Sequence, residues 1–141
     1  MIKIILASHG SLAEGMNSAV KMILGNSPCE AYGLDTYEEP DNILNIVEKK
    51  VEENKGTQFI VFTDINGGSV QNKLLQLCKH ENVFVQTGMC LSMVLETILT
   101  VSIETEEPIE VIMERICESA KENMLGCSCN TTEETEEDEL W

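Results

Sequence analysis

The sequence predicts an α/β fold: a doubly wound parallel sheet with helices on both faces. Apolar runs of strand length alternate, along almost the whole chain, with segments whose apolar residues recur every three or four positions. Such alternation is typical of a parallel sheet with right-handed crossovers. The chain has 141 residues, of which 43% are hydrophobic, so we expect a single domain with a substantial core.

The first half of the chain predicts two strands and two helices. Met1–Ala7 is an apolar run typical of a buried strand, and Ser11–Leu24 follows it with helical spacing of apolar residues. Gly25 is suited to end that helix. Glu30–Leu34 is a short candidate strand. A proline then opens a helix over Asp41–Asn54, and a glycine follows its end.

The second half predicts two further strands and three helices. Gln58–Thr63 is rich in β-branched and aromatic residues, which indicates a central strand. A glycine-rich turn leads from it into a helix over Val70–Lys79. Asn82–Thr87 is the fourth strand, and Leu91–Val101 is the helix that follows. Pro108–Asn123 is the last helix, since proline is favoured in a first helical turn.

The C-terminal end is predicted to contribute an edge strand and a tail. Met124–Cys129 is too short for another strand–helix unit, but it suffices for an edge strand whose partner sheet would belong to a second subunit. Residues 130–141 are dominated by acidic side chains, so we expect a disordered tail. The folded domain is therefore expected to span residues 1–129.

The composition argues against several classes of protein. The formal net charge is −16, whereas nucleic-acid binding requires Lys and Arg to neutralise phosphates; a basic protein partner is favoured instead. No apolar run is long enough to cross a membrane, and the N-terminal region lacks the flanks of a signal peptide. We therefore expect a cytoplasmic protein without direct membrane insertion.

The six cysteines are expected to stay reduced in that compartment. Cys78, Cys90 and Cys117 fall within apolar patterns, so we expect them to pack as small hydrophobic side chains. Cys127 and Cys129 could contact a soft metal, but two ligands do not complete a tetrahedral site. Neither a metal nor another cofactor is predicted.

Two strand ends carry the candidate site. His9 follows the first strand and precedes a helix, and Asp64 follows the third strand. Open α/β sheets bind ligands at the carboxyl ends of their strands, so we expect both residues in one crevice. Asp64 would accept a hydrogen bond from His9 Nδ1 and leave Nε2 as a nucleophile for a phosphoryl group. A histidine satisfied at the surface and an aspartate that caps a turn are the alternatives.

The turn after Asp64 is suited to a phosphoryl group. Gly67 and Gly68 allow the backbone to approach closely, and the N–H groups at the helix start, beginning at Ser69, can donate to phosphoryl oxygens. The chain contains no Gly-x-x-x-x-Gly-Lys-Ser/Thr loop, and the segment around Gly10 is not part of a GxGxxG motif. Direct use of a nucleotide is therefore not expected.

Three segments resemble the signatures of the mannose-family EIIA domain, a component of the bacterial sugar phosphotransferase system. They are Ala7–Gly10, Phe62–Ser69 and Thr87–Thr97, and the resemblance covers about residues 1–129. It implies a four-stranded parallel sheet in the order 2-1-3-4. It also implies a homodimer that exchanges an antiparallel C-terminal strand, for which Met124–Cys129 is the candidate.

The same resemblance implies a function and partners. His9 would accept a phosphoryl group on Nε2 from phosphorylated HPr and pass it to a histidine of the IIB component, through which the membrane permease is reached. Asp64 would orient the His9 ring. Four residues of the two turns would contact the phosphoryl group: Gly10, Gly67, Gly68 and Ser69.

The sequence departs from the family pattern at the rim of the expected crevice. Val70 and Gln71 stand where the family usually has proline and an aromatic residue, and Cys90 and Ser92 stand where it usually has asparagine and proline. The choice of donor or acceptor depends on such a rim.

Three other functions are alternatives to the phosphocarrier. The phosphotransfer subunit of a dihydroxyacetone kinase is disfavoured by Gly10 and the Gly67-Gly68 pair. A regulatory module, in which phosphorylated His9 reports sugar supply, fits the same residues. A receiver domain with Asp64 as phosphoacceptor is disfavoured, because no acidic pair follows the first strand.

Overall fold

The computed structural model describes residues 1–103 and 106–129, which form four strands, six helices and one 3₁₀ segment. The strands are β1 (Ile2–Ser8), β2 (Glu30–Gly33), β3 (Gln58–Thr63) and β4 (Val83–Gln86). The helices are α1 (Leu12–Leu24), α2 (Leu34–Tyr37), α3 (Pro40–Glu53), α4 (Ser69–Leu74), α5 (Leu91–Val101) and α6 (Ile109–Glu122). The 3₁₀ segment, Leu75–Lys79, follows α4 directly.

The four strands form one parallel sheet in the order β2-β1-β3-β4, which confirms the predicted order. β1 and β3 are the central pair, and Ala7 lies opposite Thr63 in their register. Both strands consist almost entirely of buried residues, as expected where helices cover both faces of a parallel sheet. Their carboxyl ends therefore leave the sheet side by side.

Two hydrophobic layers cover the sheet, one on each face, because successive side chains of a strand point to opposite sides. On one face, Leu6 and Phe62 pack in a core built with α1, α5 and α6. On the other face, Ile5 and Val61 pack in a core built with α3, α4 and the 3₁₀ segment. The predicted helices on both faces are confirmed.

The helix predicted over Val70–Lys79 is α-helical only as far as Leu74 and then tightens into the 3₁₀ segment. Side chains three residues apart eclipse each other in a 3₁₀ helix, so Leu74 and Leu77 are both fully buried. Cys78 is exposed for the same reason, and the prediction that it packs in the core is wrong. A second difference is α2, a single helical turn too short to produce a periodic signal.

The C-terminal part of the described chain contains no further strand. Met124–Cys129 lies outside regular secondary structure and is exposed in this single chain, so the exchanged strand and the homodimer stay predictions. β4 lies at the edge of the sheet, and each of its four residues is only half-buried. The predicted acidic tail, residues 130–141, lies outside the described residues. Among residues 1–103 and 106–129, no helix has both the length and the apolar character needed to cross a membrane.

Candidate functional site

The carboxyl ends of β1 and β3 bring His9 and Asp64 into contact. The last residues that β1 and β3 pair with each other are Ala7 and Thr63, so the two strands end within one residue of the same level. The His9 backbone N–H donates to Asp64 Oδ2 at 2.8 Å, and His9 Nδ1 lies 2.8 Å from the same oxygen. Two hydrogen bonds to one carboxylate oxygen thus fix both the backbone and the ring of the histidine.

Asp64 is held in its ionised form. Burial would raise the pKa of its carboxyl, but hydrogen bonds from the backbone N–H and ring of His9 and from the backbone N–H of Ile65 outweigh burial, so the pKa is lowered below its usual value. A carboxylate can only accept, so Nδ1 carries the proton and donates it to Oδ2. Nε2 of a neutral ring then has its lone pair free, as the sequence-based hypothesis requires.

The free nitrogen of His9 faces the second turn. His9 Nε2 lies 3.2 Å from Ser69 Oγ, a distance at which the hydroxyl can donate to the ring nitrogen. The side chain of His9 is 47% exposed, whereas that of Asp64 is 8% exposed. The arrangement therefore hides the carboxylate and presents the nucleophilic edge of the imidazole to a docking molecule.

Ser8 fixes the turn on which His9 stands. It is fully buried, and its hydroxyl donates to the His9 carbonyl at 2.9 Å while accepting from the Ala13 N–H at 2.7 Å. The second bond satisfies an otherwise unpaired N–H in the first turn of α1, although the formal cap residue, Ser11, makes no such bond. Sequence reasoning missed this role. The available signal was a serine at the end of a strand, a few residues before a helix.

The β3–α4 turn is held by side chains of α4. Gly67 adopts a φ of +80°, which favours glycine, and its N–H donates to Gln71 Oε1 at 2.6 Å. Its carbonyl accepts from Asn72 Nδ2 at 3.1 Å. Gly68 has no room for a side chain, because a Cβ there would lie 3.1 Å from His9 Cε1 and closer still to Ile65 Cγ2. The histidine ring thus packs against the glycine backbone.

The residues predicted to contact a phosphoryl group differ in their availability. Ser69 lies beside Nε2, and Gly68 lies beside the ring. The Gly67 N–H is already engaged by Gln71. Gly10 has a φ of +51°, and its carbonyl accepts from the N–H of Asp35 at the start of α2, so its backbone shapes the β1–α1 turn. No contact in this unphosphorylated chain tests the predicted phosphoryl contacts.

The departures from the family pattern lie under and beside this site. Val70 is fully buried and Gln71 is 8% exposed, so both support the turn from below. Cys90 precedes α5, and its Sγ lies 3.5 Å from Ser92 Oγ. The neighbouring Met89 N–H donates to the Thr63 carbonyl at 3.0 Å, which ties the β4–α5 loop to the end of β3.

Within residues 1–103 and 106–129, one group of side chains offers three metal-type ligands close together: Glu48, Glu52 and His80. It lies away from His9, where α3 meets the 3₁₀ segment. Glu48 Oε1 is already bonded to Lys79 at 2.7 Å and lies 3.1 Å from His80 Nε2. His80 is therefore half-buried and within hydrogen-bond distance of Glu48, rather than the solvated loop residue that its position after the predicted helix suggests. Cys127 and Cys129 are both exposed.

A family model matches most of the chain. The model is EIIA-man, described as the PTS system fructose IIA component, and it matches residues 3–117. The matched region contains both turns of the site and all four strands apart from Ile2, the first residue of β1. No curated protein sequence gives a significant match.

Several solved structures of phosphotransferase-system proteins are similar to this chain in fold. A protein from Klebsiella pneumoniae, described as a phosphoenolpyruvate-dependent sugar phosphotransferase system (PTS) permease, is 28% identical with a TM-score of 0.74, over 93% of this chain and 93% of that one. Phosphotransferase system component EIIA from Streptococcus agalactiae is 23% identical with a TM-score of 0.78, over 89% and 97%. The mannose/sorbose specific IIA subunit from Enterococcus faecalis is 17% identical with a TM-score of 0.69, over 89% and 94%. The last two show similarity of fold alone.

Proposed function

Because the chain belongs to the EIIA-man family of phosphotransferase-system IIA components, we propose that it is a cytoplasmic phosphocarrier that accepts a phosphoryl group on His9 Nε2 from phosphorylated HPr and passes it to a IIB component. One observation carries this proposal. His9 Nδ1 is bound to the Asp64 carboxylate at 2.8 Å, while Nε2 faces Ser69 at the surface. The ring is therefore oriented, and only its nucleophilic nitrogen is open to a partner.

The proposed transfer exchanges one phosphorus–nitrogen bond for another. Nε2 of His9 attacks the phosphorus of the phosphohistidine on HPr, the donor nitrogen leaves with its electron pair, and a phosphorus–nitrogen bond forms on His9. The ring gains positive charge as this bond forms. The Asp64 carboxylate, fixed against Nδ1–H, stabilises that charge and needs no rearrangement during the reaction. Transfer to IIB is the same step in reverse with a different partner.

Ser69 supports the proposed transfer from the other side of the ring. Before reaction its hydroxyl can donate to Nε2 across 3.2 Å, and after the transfer the same hydroxyl can donate to a phosphoryl oxygen. α4 spans only six residues, so its dipole contributes less than that of a long helix. The proposal therefore assigns the main donor role to the Ser69 side chain.

The surface around His9 suits protein partners. Leu12, the first residue of α1, and Ile65, within the β3–α4 turn, are 50% and 58% exposed and offer apolar contact area at this end of the sheet. The net charge of −16 would steer a partner with a basic face towards the chain. We therefore expect the rate of phosphoryl acceptance to fall as salt is raised, because screening weakens this attraction.

We also propose that the chain forms a homodimer through Met124–Cys129. The half-buried edge strand β4 supports this, since an unpaired strand edge can accept another strand. Light scattering should give twice the monomer mass of 15.7 kDa. A chain truncated to residues 1–123 should be monomeric, while one truncated to residues 1–129 should remain a dimer. A monomeric full chain would contradict the proposal.

Intact mass spectrometry tests the phosphocarrier directly. Wild-type protein is incubated with phosphoenolpyruvate, enzyme I and HPr, beside His9→Gln and the matched control His80→Gln. We expect one acid-labile phosphoryl group on the wild type and on His80→Gln, and none on His9→Gln. His9 is held through Nδ1 and leaves Nε2 accessible, whereas Nε2 of His80 lies against Glu48. If the wild type stays unmodified while HPr is phosphorylated, phospho-HPr is not the donor. If His9→Gln is still phosphorylated, His9 is not the phosphorylated residue. Added IIB should remove the label; a label that persists would favour the regulatory module.

A further inference from the structure

Gln71 is a buried polar residue that reaches back to the turn it follows. It lies in the first turn of α4 and is 8% exposed. Its Oε1 accepts the N–H of Gly67 at 2.6 Å. Burial of an amide without a partner is costly, so this hydrogen bond is strongly preferred over an open arrangement.

The hydrogen bond from Gln71 fixes the peptide group that contains the Gly67 N–H, at a residue with a positive φ. Gly67 has a φ of +80° and is exposed, so little else of its own restrains it. Gln71 holds its N–H, and Asn72 Nδ2 holds its carbonyl at 3.1 Å. Both restraints come from α4, whose residues Val70 and Leu74 are fully buried in the core. The turn is therefore tied to a rigid part of the fold.

Two contacts connect this turn to the histidine ring. A Cβ on Gly68 would lie 3.1 Å from His9 Cε1, so the ring packs directly against the Gly68 backbone. Ser69 Oγ lies 3.2 Å from His9 Nε2. Rotation of the Gly67 peptide group would shift Gly68 and Ser69 relative to the His9 ring. A displacement of about 1 Å in a reacting group can lower a rate on the order of 100-fold.

We propose that Gln71 is a positioning residue for phosphoryl transfer, acting through the Gly67 N–H to set Ser69 against His9 Nε2. The inference rests on the proposed phosphocarrier function. It assigns a role to one of the positions at which this chain departs from the family pattern, where the Gln71 amide oxygen accepts from the Gly67 N–H. In this chain the side-chain amide of Gln71 occupies the Gly67 N–H before a phosphoryl group arrives.

Gln71→Met tests the inference, because methionine is of similar size and lacks the acceptor. Gln71→Glu keeps an acceptor oxygen at the same place. Gln76→Met is the matched control, since Gln76 is an exposed glutamine in the adjoining 3₁₀ segment. Gln71→Leu also lacks the acceptor and replaces Gln71→Met if that variant does not fold.

The first measurement is amide hydrogen exchange of unphosphorylated protein, which does not depend on function. We expect the Gly67 amide to exchange at least about tenfold faster in Gln71→Met, with the amides of β1 and β3 unchanged, because only the turn loses its restraint. Gln71→Glu and Gln76→Met should keep the protection of wild type. An unchanged Gly67 amide in Gln71→Met would overturn the inference.

The second measurement is the single-turnover rate of phosphorylation at varied phospho-HPr. We expect the maximal rate of Gln71→Met to fall about tenfold with an unchanged half-saturating concentration, since the defect lies in orientation rather than docking. Gln71→Glu should recover most of the rate. Unchanged rates in Gln71→Met would overturn the positioning role. A wild type that accepts no phosphoryl group would instead refute the proposed function. The hydrogen-exchange result would still test whether Gln71 restrains the Gly67 amide.

Discussion

The turns after β1 and β3 leave the same edge of the sheet, and each places a serine near His9, but the two serines have different surroundings. Ser8 is fully buried, and its hydroxyl bonds only backbone groups nearby in sequence, the His9 carbonyl and the Ala13 N–H at the start of α1. Ser69 is exposed, and its hydroxyl faces His9 Nε2. The same residue type thus shapes the backbone in one turn and meets the reacting atom in the other.

The two turns also differ in how they are held. The β1–α1 turn is closed by Ser8 and by backbone bonds, including that from the Asp35 N–H to the Gly10 carbonyl. The β3–α4 turn is held by longer side chains, namely Asp64 against His9 and Gln71 against Gly67. The first turn therefore presents the histidine, and the second orients it. Substitutions in the two turns should separate stability from transfer rate.

Asp64→Asn should have the largest effect on transfer. An asparagine cannot carry the negative charge that stabilises the imidazolium, and its amide can present a donor instead of an acceptor to Nδ1. We expect the single-turnover phosphorylation rate to fall on the order of 100-fold or more, with the far-ultraviolet circular dichroism spectrum unchanged. A rate within a factor of about three of wild type would show that the carboxylate does not orient the ring.

Ser69→Ala should have a smaller effect of the same kind. Loss of one donor in a dry site can lower a rate more than 100-fold, but Ser69 is exposed and water can replace its hydroxyl, so we expect about a tenfold loss. The free energy of unfolding should change by less than about 0.5 kcal/mol, since among the described residues the Ser69 hydroxyl contacts the His9 ring rather than a backbone group. Chemical denaturation beside the rate measurement checks both. A large loss of stability in Ser69→Ala would contradict the assignment of a structural role to Ser8 and not to Ser69.

Ser8→Ala should show the opposite pattern. It leaves the Ala13 N–H without its acceptor inside the fold, so we expect the free energy of unfolding to fall by about 1–2 kcal/mol. The transfer rate should stay within about threefold of wild type, because the ring contacts to Asp64 remain.

Ser11→Ala is the matched control for Ser8→Ala. Ser11 occupies the formal cap position of α1 but makes no side-chain capping bond, so its loss should change the free energy of unfolding by less than about 0.5 kcal/mol. Equal losses of stability in the two variants would contradict the assignment of the capping role to Ser8.

The sequence was sufficient to predict the fold and the position of His9 and Asp64. Both follow from strand–helix alternation, since the carboxyl ends of parallel strands share one edge of the sheet. The strand order was inferred from the family resemblance, and the structure confirms it. The functional roles of His9 and Asp64 stay predictions.

Details that depend on single side-chain hydrogen bonds were not predictable. Neither Ser8 capping α1 nor Gln71 bonding Gly67 leaves a periodic pattern, because each bond depends on the path of a turn. The change from α-helix to 3₁₀ after Leu74 was missed because the apolar residues there fit either spacing until packing selects one. The predicted exchange of a C-terminal strand involves a second chain and stays a prediction.

The smallest expected effect is the pH dependence of the free energy of unfolding that arises from the contact between the Asp64 carboxylate and His9. Hydrogen bonds from His9 and Ile65 lower the pKa of Asp64 below its ordinary value of 3.8 despite the opposing effect of burial. A group whose folded-state pKa is depressed contributes stability that is present above its unfolded pKa, about 4, and is lost as the pH falls through the folded value. The difference in free energy of unfolding between wild type and Asp64→Asn should therefore narrow as the pH is lowered below about 4. A difference that stays constant down to about pH 2 would mean that the negative charge of Asp64 adds no stability to the fold.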